Sequence, residues 1–89
     1  MSLHLVFSVQ GFHACQCRLQ ADDSVVLLGD GVYAWSQAAQ VPGITAYLLA
    51  ADAKTRGISP DISAPLAHID YPALVSLTAE HEPVVSWNE

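Results

Sequence analysis

Three side chains able to bind metal or carry sulfur stand on alternate positions near the start of the chain: His13, Cys15 and Cys17. Zinc sites use a Cys pair typically about two to four residues apart, with a second ligand pair elsewhere. This cluster supplies at most three ligands, and on a helix residues two apart point away from each other. The spacing therefore argues against a metal. A reactive thiol is the sharper alternative. A cysteine near a helix terminus and beside Arg18 can have its thiolate stabilised, which makes Cys15 the candidate sulfur carrier and Cys17 the lesser one. The competing reading of Cys15 is a small apolar side chain packed in the core.

The remaining polar residues carry less chemistry. His4, His13, His68 and His81 are scattered, and none stands in a recognisable order with a nucleophile and a carboxylate. Gly29-Asp30-Gly31 lacks the Lys-Ser/Thr element and the longer glycine spacing of a phosphate loop. No cofactor-binding signature stands out. Asp30 and Asp70 each follow an apolar run and precede a helical one. Such a carboxylate accepts from the free N–H groups of the next turn, so both are expected to be helix caps rather than acids for catalysis. Gly31 is expected to permit a tight exit from the strand. Trp87 is either a packing anchor or a candidate interface residue.

The elements that must position these groups alternate in type. Val25 to Leu28 has no polar alternation and suits a strand covered on both faces. Val32, Trp35 and Ala39 then recur at helical spacing to about Gln40, before Pro42-Gly43 breaks the helix. Leu3 to Val9, Ile44 to Leu49, Leu66 to Ile69 and Val84 to Trp87 read as further strands. Helices are expected over Phe12 to Ala21, over Ala53 to Arg56 capped by Asp52 and closed by Gly57, and after Asp70 with Pro72 in the first turn. Ile58 to Ala64, with Pro60 and Pro65, reads as loop. Strands alternating with short helices predict an α/β fold, a small flavodoxin- or Rossmann-like parallel sheet with right-handed crossovers.

Length and composition set the outer bounds. Eighty-nine residues predict a single domain over 1–89, burying only about 60–65% of the surface exposed when unfolded. Yet 52% of the residues are hydrophobic and only 13% charged, against a usual charged share of about 25%. Some of that apolar surface is expected to face another subunit. A net charge of −6, with Arg18, Lys54 and Arg56 the only cations besides histidine, argues against direct nucleic-acid binding. No window reaches transmembrane length, and no basic region precedes the first apolar stretch as in a signal peptide. Two cysteines this close suit free thiols in the reducing cytoplasm.

The order of these pieces resembles the TusB/DsrH family of small sulfur-relay subunits, within the DsrE-like superfamily. The matching residues are the apolar strand into Asp30-Gly31-Val32-Tyr33-Ala34, then Tyr47-Leu48, then Asp52 to Arg56-Gly57. Ile69-Asp70-Tyr71, the helix with Leu74-Val75 and Leu77-Thr78, and a terminal segment ending at Trp87 complete the match. The resemblance implies a cytoplasmic heterohexamer, two copies each of three related chains, with TusC/TusD-like (DsrF/DsrE-like) sisters as partners. Such complexes relay persulfide sulfur toward 2-thiolation of tRNA wobble uridine, or handle sulfur during sulfur-compound oxidation. The family's main sulfur-accepting cysteine belongs to a sister subunit, after a central strand. This chain has Leu49-Ala50-Ala51 there, which implies a non-catalytic, structural member. DsrH-type chains can carry a cysteine in the first helix, at a distance like that of Cys15 before Asp30, which supplies the alternative of a persulfide on Cys15. A third alternative is an isolated α/β domain that forms homo-oligomers when its partners are missing.

Overall fold

Two clusters of apolar side chains, one on each face of a five-stranded sheet, organise the molecule. The computed structural model describes residues 2–63 and 66–88; Ala64 and Pro65 of the expected loop lie outside the described residues. The strands are β1 (Leu3–Val6), β2 (Ser24–Leu27), β3 (Thr45–Leu49), β4 (Ala67–Ile69) and β5 (Val84–Trp87). All pairings are parallel, in the order β4-β3-β2-β1-β5. The helices are α1 (Val9–Gln16), α2 (Trp35–Ala39), α3 (Ala50–Thr55) and α4 (Tyr71–Glu80). A 3-10 segment over Gly29–Ala34 leads into α2. The α/β parallel sheet expected from the sequence is the observed fold.

Alternation along each strand distributes side chains to the two faces. Val25 and Leu27 join Val6, Leu48, Phe12, Cys15, Val32, Ala38 and Ala53 on the face covered by α1, the 3-10 segment, α2 and α3. Val26 and Leu28 join Leu3 and Leu49 on the other. The chain steps outward from β1 to β4 under the first helices and returns over the opposite face to β5. Among the described residues α4 is the one helix that covers that second face, through Leu74 and Leu77. None of its residues is fully buried, and Tyr71 and Val75 stay exposed.

The local starts and stops differ from expectation at several places: β1 ends at Val6 rather than Val9, α1 ends at Gln16 rather than Ala21, and the helix expected from Val32 begins at Trp35, after the 3-10 segment. Helix α1 begins three residues before the expected Phe12, because Ser8 Oγ accepts the Gly11 N–H at 2.9 Å and caps it. Asp30 is not an N-cap: it lies inside the 3-10 segment, whose preceding residue Leu28 makes no side-chain cap. Gly29, with φ +52°, makes the turn out of β2. Gly31 serves close approach instead, since a Cβ there would overlap the Val6 carbonyl group. Asp52 likewise does not cap α3, which already begins at Ala50.

Two ends follow ordinary cap chemistry. Gly57 closes α3: its N–H reaches Lys54 O at 3.1 Å and the Ile58 N–H reaches Ala53 O at 2.9 Å, the paired bonds of a Schellman motif. Asp70 precedes α4, and its Oδ1 accepts the Ala73 N–H at 3.0 Å.

Candidate functional site

The carboxyl ends of the strands, where α/β proteins gather ligands, are held together by carboxylates acting on backbone and guanidinium. Asp52 Oδ2 accepts the Gly29 N–H at 2.8 Å, tying α3 to the turn after β2. Arg56, one turn further along, donates through Nε to Asp30 Oδ1 at 3.0 Å and through Nη1 to Asp52 O at 3.3 Å. The Asp30 side chain is 71% exposed, so this ion pair is a surface contact. At the end of β3, Leu49 is buried and Ala50 starts α3 at once, so no thiol or hydroxyl stands at that strand end.

Cys15 sits on the inner side of α1 and is 0% exposed. Burial pushes its thiol up to about 12, and the charge of Asp23 adds to the shift. A group held there is a thiol at neutral pH, and the thiolate is the nucleophile. Cys15 is thus a buried thiol, and sulfur transfer through it would need both access and ionisation. Arg18, expected to favour the thiolate, follows the end of α1 on the exposed surface. Cys17 is exposed, its Sγ 3.9 Å from His13 O. Among the described residues no group of three or more His, Cys, Asp or Glu side chains is placed to hold a metal ion.

The opposite, amino-terminal end of the sheet carries a buried polar network that the sequence did not reveal. Trp87 Nε1–H donates to His4 Nδ1 at 3.1 Å, and indole nitrogen is a donor only. His4 must then carry its proton on Nε2, which faces Asp23 Oδ2 at 3.3 Å. Asp23 also accepts the N–H of Ser2 and of Gln20, each at 3.0 Å. Burial pushes the Asp23 carboxyl up, but the Ser2 and Gln20 N–H groups and His4 together outweigh it and hold the carboxyl below its ordinary value. Next to it, His81 Nδ1–H donates to Leu77 O at 2.9 Å, so a neutral His81 accepts from Ser24 Oγ at 3.2 Å through Nε2.

The pairing of β2 on β1 brings Asp23 to His4, 19 positions away, and the pairing of β5 on β1 brings Trp87 to it from 83 positions away. The nearest signal in the sequence is His4 on the same strand face as Val6. Trp87 is half-buried in this arrangement and packs against the core.

The groups at the strand ends are thus engaged with backbone or with one another, and the thiol on the inner face of α1 is buried. Among the described residues no helix is long and apolar enough to cross a membrane. The fold is shared with the solution structure of protein Tm0979 from Thermotoga maritima, at a TM-score of 0.66 and 24% identity, covering 93% of this chain and 97% of that one. In sequence the chain is 35% identical over 71 residues to Protein TusB of Pectobacterium parmentieri, covering 73% of this chain and 75% of that protein. The family model described as DsrH like protein matches residues 6–84. With most of its length matched, this chain belongs to the TusB/DsrH family of sulfur-relay proteins.

Proposed function

We propose that the chain is a single-domain, non-catalytic structural subunit of a cytoplasmic sulfur-relay hetero-oligomer. Its partners are TusC/TusD-like (DsrF/DsrE-like) sister chains, and one of them carries the persulfide. The observation that carries this reading is the state of Cys15, fully buried and held as a thiol. The vacant position after β3, where Leu49 runs directly into the alanines of α3, supports it. So does the second sheet face, covered by a helix with no fully buried residue. The sulfur then passes toward 2-thiolation of tRNA wobble uridine or into sulfur-compound oxidation, and a later enzyme, not this acidic chain, meets any RNA. Direct carriage on Cys15 would require α1 to open first.

Co-expression with both sister chains tests the assignment. One complex containing all three chains through affinity capture and size exclusion is the expected outcome. A monodisperse monomer that ignores both sisters would overturn it.

A further inference from the structure

An open cavity of about 430 Å³ lies between α3, the turn Gly57–Pro60 and edge strand β4. That volume is in the range of small-molecule sites, about 300–1,000 Å³. Its wall is mainly apolar, formed by Ala50, Ile58 and Pro60, and two cationic or ionisable groups border it: Lys54 and His68. The polar part is built rather than incidental. Ser63, fully buried, gives its hydroxyl hydrogen to Ser59 O at 2.9 Å. Its Oγ is then the acceptor for His68 Nε2–H at 2.7 Å, which fixes the ring plane in the wall of the cavity.

Charge decides what such a cavity takes. The chain carries a net charge of −6 and only three Lys and Arg residues. Arg56 is committed to Asp30, whereas Lys54 makes no ion pair among the described residues. We propose that this cavity binds a free small organic anion, an aliphatic or aromatic body carrying one carboxylate-like head. The body lies against Ile58 and Pro60, and the head meets the Lys54 ammonium with His68 beside it. A cationic or neutral amphiphile of the same length lacks the complementary charge.

Titration of the full-length, ¹⁵N-labelled chain with octanoate, followed by amide chemical shifts, tests the site. Saturable shifts confined to Ala50, Lys54, Ile58 and His68 and their neighbours are expected, with little response to octylamine. Lys54 is exposed, so Lys54→Gln leaves the fold intact, as its spectrum verifies. It weakens octanoate binding by about threefold to tenfold, while Lys54→Arg retains it. Ala50→Leu, which fills the cavity, removes binding whatever the head group. Equal binding by Lys54→Gln, equal response to octylamine, shifts spread over Tyr71 and Val75, or the absence of saturable shifts would each overturn the proposal.

Discussion

Trp87, at the end of β5, donates its indole N–H to His4 Nδ1 at 3.1 Å and thereby ties edge strand β5 to its neighbour β1 through side chains as well as backbone. The rings lie 6.2 Å apart and 27° from parallel, so contact as well as hydrogen bonding joins them. Replacing Trp87 with Phe keeps an aromatic body and removes the donor. The His4 nitrogen then loses its partner, at a cost of about 1–2 kcal/mol. Urea unfolding should show a lower midpoint with an unchanged slope. An unchanged midpoint would mean that the bond contributes nothing.

Asp23 makes the same corner sensitive to acid. Its folded carboxyl lies below the ordinary value of 3.8, so the unfolded chain binds the proton more readily. The stability it contributes is fully present above the unfolded value and is lost as pH falls through the lower folded one. The unfolding midpoint of the native chain should therefore fall below about pH 4. Asp23→Asn should lower stability at neutral pH by about 1–3 kcal/mol, since one acceptor oxygen is lost, and should flatten that acid limb. A variant with the full acid dependence would assign it to other carboxylates.

Asp30 and Asp52 separate by the kind of partner each has. Asp52 receives the Gly29 N–H, and removing it in Asp52→Ala leaves that donor without its carboxylate, at about 1–2 kcal/mol. Asp30→Asn disrupts only an exposed pair with Arg56 and should cost less than about 1 kcal/mol. Thermal unfolding of the two variants under one buffer gives the order. A larger loss at Asp30 would contradict the assignment of the turn to Asp52.

What was legible in the sequence was what local chemistry dictates. Val25 to Leu28 lacks polar alternation because the strand is covered on both faces, and it lies within one residue of its expected place. Asp70 with Pro72, and Gly57 after Arg56, mark helix ends through bonds made within a few residues. The misreadings at Asp30, Asp52 and Gly31 had one cause. Asp30 and Asp52 both look like caps in isolation, but their carboxylates cross to a partner more than twenty residues away. Gly31 looked like a turn residue, whereas its smallness is required by the Val6 carbonyl of another strand. Cys15 is buried as in the core-packed reading the sequence offered, and burial, with the charge of Asp23 added, acts on its thiol where Arg18 was expected to.

The account rests on Cys15 being a buried thiol that carries no sulfur. Peptide-level mass spectrometry after the co-expressed complex meets a persulfide donor tests this directly. The account predicts a gain of one sulfur atom on a sister chain and none on Cys15 while the complex stays folded, with Cys15 becoming modifiable only in denaturant. A sulfur adduct on Cys15 of the folded protein, lost in Cys15→Ser, would contradict it.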